Sequence, residues 1–467
     1  MQLVWFRNDL RTYDHTGLAL AKQSGEPIIA VYIATPQQWK QHKMASIKTQ
    51  LIYSRVDSLS QDLAKLNIPL IIKVVDTYSD CIYVMNELIE KFPIKSIHVS
   101  AEYELNEINR DECVEQMCQK HQVKFHQHHD SVILPPGSVV KNDASPYCVF
   151  SAFRKKWLNV FLNKPVTCLQ QIKPQAKIEL NFDLNTRDLI TAEHDLTQWP
   201  TQQDVVLNKL RVFCSSNVSQ YKNNRDFPEV DGTSKLSPYL SIGIISPRQA
   251  VNRMMAEHGD QVFNFDTNEG TWVSELIWRE FYRHLCFFYP EISKRKSVKT
   301  KFESIKWRNQ VEEFSSWKQG VTGYPIVDAA MRQLNQTGWM HNRLRMITAS
   351  FLVKDLQVDW RWGEDYFMSK LIDGDYAANN GGWQWCASTG HDSAPYFRIF
   401  NPTTQGQKFD PDGRFIKRYC PELGSIPDKH IHTPWQYCDK LGCNINYPRP
   451  IVDHKQAREI TLSLYKE

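Results

Sequence analysis

The sequence predicts an α/β fold in which an N-terminal domain with a parallel sheet is joined by a long linker to a C-terminal all-α domain. Two patterns carry this prediction. Short apolar runs alternate with helical periodicity near the N-terminus, and helical periodicity continues from residue 203 with almost no strand alternation. The predicted bounds are 1–130 for the first domain, 131–202 for the linker and 203–467 for the helical domain. A chain of 467 residues is long enough for more than one core.

Apolar runs rich in Val and Ile predict the strands of the first domain. The runs are 2–6, 27–33, 69–75, 95–100 and a weaker 123–126. Helical periodicity between them predicts helices at 45–66, 78–91 and 103–121. Because these runs are apolar along their length, we expect strands buried on both faces in a parallel sheet covered by helices. The first strand is not followed by G-x-G-x-x-G, which argues against a dinucleotide-binding domain.

The linker is predicted from composition. Pro135-Pro-Gly137 breaks the preceding pattern, and the polar stretch 163–200 lacks a long periodic segment. No internal repeat accompanies it.

Composition excludes several classes of protein. No apolar run approaches the roughly 20 residues of a membrane helix, and the N-terminus lacks a secretory signal, so we expect a cytoplasmic protein. Eleven cysteines without C-x-x-C spacing indicate reduced thiols. His126, His128 and His129 could bind a metal, but a polar loop is the better interpretation, and we expect no metal site.

A basic run lies in the second half of a chain whose formal net charge is +4. Its densest part contains Lys294, Arg295, Lys296, Lys299 and Lys301. Such a run is usually a solvated loop, and the functional alternative is contact with a polyanion through phosphate neutralisation.

The most informative segment runs from Asp373 to Trp385. Its thirteen residues, DGDYAANNGGWQW, include two carboxylates, two neighbouring Asn amides, three glycines and two tryptophans. Glycine lets backbone approach a flat ligand. Carboxylates accept hydrogen bonds from ribose hydroxyls, and amides can bond the heteroatoms of a ring. The segment therefore predicts a site for an aromatic cofactor.

Three further segments carry site-like residues. Glu275, Trp278, Arg279 and Tyr282 follow i, i+3, i+4, i+7 spacing, so they share one helical face that does not resemble a core stripe. Asn342, Arg345 and Met346 share a face of another helix. The turn from Gly232 to Ser237 offers backbone amides and hydroxyls that could hold phosphates, a weak signal by itself.

These segments together resemble the photolyase/cryptochrome family, and most closely its bacterial class I cyclobutane pyrimidine dimer photolyases. Further matching runs are LVWFRNDLR (3–11), TGYPIVDAAMRQL (322–334), WMHNRLRM (339–346) and FNPTTQGQKF (400–409). The resemblance covers essentially the whole chain, and several long motifs in the family's order make it specific.

The resemblance implies a FAD in the helical domain, active in its fully reduced form, FADH−. The residues that match the family's FAD site are Tyr221, Thr233, Ser234, Lys235, Leu236, Ser237, Trp272, Arg279, Arg345, Asp373, Gly374, Asp375 and Asn379. The 233–237 turn would hold the phosphates, and Asp373 and Asp375 the ribose and adenine side. Arg345 and Asn379 would flank the isoalloxazine. Plant cryptochromes carry Asp where this chain has Asn379, so the amide favours a repair enzyme.

The resemblance also implies light-driven repair, in which excited reduced FAD passes an electron to a dimer flipped out of UV-damaged DNA. Glu275 would hydrogen-bond the dimer, Trp278 and Trp385 would stack on it, and Asn342 and Met346 would line the pocket. The 6-4 photolyases carry a histidine pair at these last two positions, so the chain fits cyclobutane dimers. The residues expected to hold the flanking phosphates are Arg225, Arg343 and Arg398.

Three tryptophans match the family's electron relay, which reduces oxidised FAD from the surface inward. Trp383 would lie nearest the flavin, Trp360 in the middle and Trp307 outermost. Trp362 is a competing candidate, and any of these could instead be a core residue.

The resemblance further implies an antenna cofactor, 5,10-methenyltetrahydrofolate. The matching residues are His42, Asn106, Glu107 and Lys294, and Ser293 stands where some relatives have Cys. An 8-hydroxy-5-deazaflavin or an empty site is the alternative, and Glu107 could be a plain solvent-facing carboxylate.

Two other functions are compatible with parts of the sequence. A cryptochrome-like photoreceptor shares the fold but usually has a long C-terminal extension, whereas this sequence ends at Glu467, soon after the last motif. A nucleic-acid-binding module without chemistry would not need the cofactor segment. We therefore expect a monomeric bacterial repair enzyme that acts on DNA and not at a membrane.

Overall fold

The computed structural model describes residues 1–180 and 194–466, and its N-terminal part contains one sheet. The strands are β1 Gln2–Phe6, β2 Ile28–Ala34, β3 Leu70–Val74, β4 Ser96–Ser100 and β5 Lys124–His128. They pair in parallel in the order β3-β2-β1-β4-β5. Every residue of β1, β2 and β4 is buried, whereas the edge strand β5 is half exposed. The predicted strands and their parallel pairing are confirmed.

Helices occupy most of the remaining chain. Up to residue 288 they are α1 Thr16–Gln23, α2 Pro36–Gln41, α3 Ser46–Ala64, α4 Cys81–Lys91, α5 Leu105–Lys120, α6 Phe150–Asn163, α7 Gln203–Ser215, α8 Tyr221–Asn224, α9 Ser237–Ser241, α10 Pro247–His258 and α11 Asn268–Phe288. Beyond it they are α12 Val311–Gln319, α13 Pro325–Thr337, α14 Asn342–Ser350, α15 Trp360–Met368, α16 Tyr376–Ala387, α17 Pro402–Phe409, α18 Arg414–Tyr419, α19 Pro434–Leu441 and α20 His454–Leu464. A π-helical turn, Phe351–Asp355, follows α14. Between 203 and 466 the structure contains no strand, so the helical character predicted for this part is confirmed.

The predicted helices of the N-terminal part are confirmed as α3, α4 and α5. Two helices were not predicted, α1 and α2, which have eight and six residues. Helices this short contain too few turns for a helical pattern of apolar residues to be recognised in the sequence. No helix among the residues that the structure describes is long and apolar enough to cross a membrane.

The chain divides into two compact units. The first comprises Met1–Ser219, Ser234–Lys294 and Asp373–Asp375, and the second Gln220–Thr233, Arg295–Ile372 and Tyr376–Glu467. The domain bounds at 130 and 202 remain a prediction, and residues 181–193 of the predicted linker lie outside the described residues. Helix α6 lies within that linker.

Helix α11 is anchored in the first unit by a buried carboxylate. Glu280 accepts hydrogen bonds from the backbone N–H of Leu134 at 3.0 Å and from Trp157 Nε1 at 2.6 Å, and also from the N–H of Ile133. Burial raises the pKa of Glu280 to about 7. All three donors come from residues assigned to the linker, so that stretch fixes the position of α11.

The core of the second unit draws on helices from α12 to α19 and contains several tryptophans. Trp317, Trp360 and Trp383 are buried in one apolar cluster. The indole N–H of Trp317 donates to the carbonyl of Thr348 at 3.1 Å, which satisfies a buried polar group.

One cysteine pair departs from the expectation of reduced thiols. Cys438 and Cys443 form a disulfide. The N–H of Cys443 donates to the carbonyl of Cys438 at 3.1 Å around Gly442, whose φ is 63°, and this helix C-terminal turn brings the two close. The expectation was wrong here because it considered C-x-x-C spacing alone.

Candidate cofactor and substrate site

The segment from Asp373 to Asp375 is held by side chains from three helices of the first unit. Ser237, the first residue of α9, donates through Oγ to Asp373 Oδ2 at 2.6 Å. Lys48 Nζ in α3 donates to the carbonyl of Gly374 at 2.5 Å, and Arg283 in α11 ion-pairs with Asp375. The structure therefore brings the predicted phosphate turn and the predicted ribose carboxylates together.

Arg279 fastens α11 to α9. Its guanidinium donates to the carbonyl of Ser131 at 2.7 Å and to that of Leu240, in α9, at 3.1 Å. Burial lowers the pKa of Arg279 to about 9. The hydrogen bonds of this buried guanidinium to described residues go to carbonyl oxygens, so it places a positive charge next to α9, which begins at Ser237.

The backbone of the 233–237 turn suits an anion. Lys235 has a φ of 49°, in the left-handed region, and Leu236 follows with φ −93° and ψ −4°. Alternating left- and right-handed residues point successive N–H groups into one concavity, which is a common way of holding phosphate. Trp272, the other predicted FAD residue of this unit, is buried against Phe213 at 5.1 Å between ring centroids.

Asn379 is fixed within the second unit by α15. Its Nδ2 donates to the backbone carbonyl of Glu364 at 3.1 Å, and the neighbouring Asn380 Nδ2 donates to Glu364 Oε1 at 2.7 Å. Burial raises the pKa of Glu364 to about 7. Arg345, assigned to the same ligand, donates from Nε to the carbonyl of Met340 at 2.8 Å.

The predicted FAD residues divide between the two units. Those of the first unit are Ser234, Lys235, Leu236, Ser237, Trp272, Arg279, Asp373, Gly374 and Asp375, and those of the second are Tyr221, Thr233, Arg345 and Asn379.

The three tryptophans predicted to form a relay all lie in the second unit. Trp360 and Trp383 are buried, and Trp307 is half-buried. The ring of Trp383 packs edge-on against Phe367 at 4.9 Å. Trp307 packs edge-on against Tyr465 at 6.1 Å. Electron transfer through these residues, and its order, remain predictions.

The competing candidate, Trp362, is half-buried. It packs edge-on against Phe314 at 5.2 Å. This environment is that of an ordinary core-edge aromatic.

Trp278, a predicted wall of the lesion pocket, is backed by a residue that the sequence did not reveal. Phe150, the first residue of α6, stacks on it with ring centroids 3.6 Å apart and an interplanar angle of 10°. Glu275 lies three residues earlier on α11. One face of the Trp278 ring is therefore covered by Phe150, and no local pattern connected residues so far apart in sequence.

The other predicted lesion and phosphate residues belong to the second unit. Arg343 Nη2 pairs with Asp226 at 2.9 Å, and its Nη1 lies 3.9 Å from the sulfur of Met346. Asn342 begins α14 beside Arg343. These residues form one group on the N-terminal turn of α14.

The remaining two pairs combine an arginine with an aromatic ring. The guanidinium of Arg398 lies 5.7 Å from the ring centroid of Trp385, and that of Arg225 lies 5.4 Å from Tyr221. A cation over an aromatic face is stabilised by the ring quadrupole.

Three of the four predicted antenna residues, His42, Asn106 and Glu107, lie together in the first unit. Asn106 Nδ2 and Gln38 Nε2 lie 2.9 and 3.0 Å from His42 Nε2. Both amide nitrogens donate, which leaves the imidazole proton on Nδ1, 3.6 Å from Glu107 Oε1. Tyr78 OH donates to the same oxygen at 3.0 Å. Tyr78 and Gln38 were not predicted, because neither lies in a family motif quoted above.

Glu107 has the features of a ligand-binding carboxyl. Its Oε2 is buried without a hydrogen-bond partner among the described residues. Burial, with repulsion from Glu104 and Glu102, raises the pKa of Glu107 to about 8. Lys294 instead ion-pairs with Glu291 at 3.0 Å, and Ser293 Oγ accepts from the N–H of Leu105 at 3.2 Å at the start of α5.

One group of described residues has the spacing of metal ligands. Donor atoms of Asp9, His15 and Asp130 lie within 4.8 Å of one another. Arg248 pairs with Asp130 at 2.9 Å and Arg11 lies 3.6 Å from it. Because Asp130 is already paired with two guanidinium groups, we assign no metal to this group.

Two family models match the sequence. One, DNA photolyase, covers residues 2–174, and the other, the FAD binding domain of DNA photolyase, covers residues 272–467. A deoxyribodipyrimidine photo-lyase of Vibrio cholerae is 47% identical over 476 residues, with 100% of this chain and 99% of the relative covered. The chain belongs to the DNA photolyase family. The predicted family membership is confirmed.

Solved structures agree with this membership. A bacterial class III photolyase from Agrobacterium tumefaciens has a TM-score of 0.88 and 32% identity, covering 100% of this chain and 97% of that one. A cryptochrome from Synechocystis has a TM-score of 0.87 and 29% identity, covering 99% of each chain. Since a photolyase and a cryptochrome share this fold, the fold does not separate repair from signalling.

Proposed function

We propose that this protein is a deoxyribodipyrimidine photo-lyase, a carbon–carbon lyase that repairs cyclobutane pyrimidine dimers in DNA under light. The observation that carries the proposal is the 47% identity, over the full chain, to a curated enzyme of that name. Its place of action is the bacterial cytoplasm, where the chromosomal DNA lies, and it works as a monomer.

The cofactor is FAD, and the first-unit residues fit its adenosine diphosphate half. The turn at Lys235 offers converging N–H groups for phosphate, and Arg279 adds a buried positive charge. Asp373 and Asp375 offer carboxylate oxygens for ribose hydroxyls. When bound and reduced, FAD supplies the light-driven electron that opens the dimer.

The flavin half is assigned to Asn379 and Arg345. Because the Asn379 side chain is fixed through Nδ2 to the carbonyl of Glu364, its amide has one orientation rather than two. An amide carries no charge and does not titrate, so it tolerates a ligand that changes its own charge.

The lesion pocket holds the dimer through aromatic and polar side chains. Trp278 presents a ring stiffened by Phe150 behind it, and a stacked ring loses little freedom when it contacts a base. Glu275 accepts hydrogen bonds from the dimer, and Trp385, Asn342 and Met346 complete the pocket for a flipped-out lesion. The phosphate contacts come from Arg225, Arg343 and Arg398.

The relay consists of Trp307, Trp360 and Trp383. Trp307 is half-buried, which suits an entry point for electrons, whereas the other two are buried and shielded from competing reactions with solvent.

The antenna site takes a 5,10-methenyltetrahydrofolate. The support is Glu107, whose buried Oε2 has no hydrogen-bond partner among the described residues. Tyr78 and His42 lie against its other oxygen, and Asn106 bonds His42. A carboxyl held in this way can bind the amidine-like edge of a pterin.

A photoreceptor function is the second candidate, because a Synechocystis cryptochrome has the same fold. The experiment that separates the two uses chemically reduced protein and an oligonucleotide with one thymine dimer. We expect the dimer to disappear under blue light and to persist in darkness. Retention of the dimer in both conditions would contradict the repair function and favour the photoreceptor.

A matched pair of variants tests the assignment of the pocket. Glu275→Gln should reduce repair, whereas Glu269→Gln, on the first turn of the same helix, should leave it unchanged. Equal repair by both variants would remove Glu275 from the pocket.

A further inference from the structure

Buried charges surround the segment Asp373–Asp375, and the family motifs account for only half of them. Interacting groups of the first unit comprise three cationic side chains and three carboxylates. They are Lys48, Arg279, Arg283, Glu104, Asp373 and Asp375. Of these, Lys48, Arg283 and Glu104 belong to no site that the sequence predicted.

Lys48 makes the contact that links the N-terminal α/β part to this segment. It is 6% exposed on α3, and its ammonium donates to the carbonyl of Gly374, a residue 326 positions away. Burial lowers the pKa of Lys48, while Asp375 and Asp373 act in the opposite direction by favouring its charged form. The buried amine thus interacts with two carboxylates and donates to the carbonyl of the residue that joins them.

Each of the three consecutive residues is held from a different helix. Ser237 of α9 bonds Asp373, Lys48 of α3 bonds Gly374, and Arg283 of α11 pairs with Asp375. Asp373 is 7% exposed, so its orientation is set by these partners rather than by water. A segment with little regular structure of its own is therefore positioned by side-chain contacts.

We propose that Lys48 is a positioning residue of the cofactor site, which holds Gly374 so that Asp373 and Asp375 are arranged to receive the adenosine half of FAD. This inference rests on the proposed function, because it takes FAD as the ligand. Lys48 does not itself contact FAD in this proposal. It acts by fixing a backbone carbonyl and balancing two buried carboxylates.

The test compares Lys48→Met, which keeps length but removes charge and donor, with Lys65→Met, whose native side chain is 76% exposed just beyond the end of α3. The dissociation constant of FAD is measured on the full-length protein from the flavin fluorescence released on dilution. We expect Lys48→Met to weaken FAD binding by about 10- to 100-fold. Lys65→Met should bind FAD as the wild type does.

A conservative change separates positioning from general stability. Lys48→Arg retains charge and donors and should recover part of the lost affinity, whereas a purely structural role would make the larger side chain at least as harmful as Met. Wild-type affinity in Lys48→Met, or an equal loss in Lys65→Met, would overturn the proposal. If Lys48→Met fails to fold, the FAD dissociation constant is measured on Lys48→Gln instead, which lacks the charge and has a shorter side chain. Wild-type affinity of Lys48→Gln for FAD would also overturn the proposal.

The measurement on the wild type tests the proposed function, and the comparison with Lys48→Met tests the role of Lys48. If the wild type does not bind FAD, the proposed function fails. If the wild type binds FAD and Lys48→Met binds it equally well, only the role of Lys48 fails.

Discussion

Replacing Gly363 by alanine tests whether the placement of Trp383 depends on the absence of a side chain in α15. A Cβ at position 363 would lie 2.1 Å from Cη2 and 2.4 Å from Cζ3 of the Trp383 ring, and 2.7 Å from Leu352 Cδ2. Non-bonded carbons prefer separations of about 3.5–4.0 Å. The indole must therefore move by roughly 1 Å or more to admit one methyl group.

The ring has little room to move. Trp383 is 2% exposed, and it packs edge-on against Phe367 at 4.9 Å and Trp317 at 6.1 Å. Overpacking a core of this kind costs about 1–3 kcal/mol. Alanine's better helix propensity offsets up to about 1 kcal/mol of that. We expect the free energy of unfolding to fall by about 1–2 kcal/mol.

Two measurements check this prediction. Urea unfolding gives the stability loss, and the rate at which light reduces bound FAD in the presence of an external donor should fall because Trp383 is displaced. In the Trp383→Phe background, which lacks the Cη2 and Cζ3 atoms, Gly363→Ala should cost much less, so the double-mutant cycle should show coupling. Additive effects, or wild-type stability in Gly363→Ala, would refute the reasoning.

Three further outcomes are expected. Trp307→Phe should slow photoreduction of FAD yet spare repair by chemically reduced enzyme, and loss of that repair would assign Trp307 a structural role. Glu107→Ala should abolish a near-ultraviolet absorption band while the flavin spectrum remains, and a persistent band would refute folate at this site. Burial lowers the pKa of Lys354 from 10.5 to about 7, so between these values the unfolded chain binds a proton that the native chain lacks and stability rises with pH. Lys354→Met should remove that rise in urea unfolding measured across this range, and an unchanged slope would contradict the assignment.

The sheet could be predicted from the sequence because its strands are apolar along their whole length. A continuous apolar run such as Ile28–Ala34 predicts by itself a strand that is buried on both faces. The helices between such runs predict that the strands pair in parallel. The motifs also grouped His42, Asn106 and Glu107, and the structure brings these three within hydrogen-bonding or ion-pairing distance, although their role as an antenna site remains a prediction.

The contacts that support the site could not be predicted in this way. Lys48 looks like any lysine of an amphipathic helix until α3 is placed beside Gly374. Phe150 looks like a linker residue until α6 brings its ring onto Trp278. Such partners are set by tertiary packing between distant parts of the chain, which leaves no pattern in the neighbouring sequence.

The hydrogen bonds of the buried Glu280 carboxylate limit how short a fragment of this chain can be and still fold as a flavoprotein. An excised fragment that begins at residue 203 would keep Glu280 but lose all three of its donors, from Ile133, Leu134 and Trp157. A buried polar group stripped of its partners costs about 1–3 kcal/mol, and more if it is charged. Such a fragment should therefore be less stable than the same helices in the full chain, so the stretch from 131 to 157 belongs with the helical part in any transplanted unit.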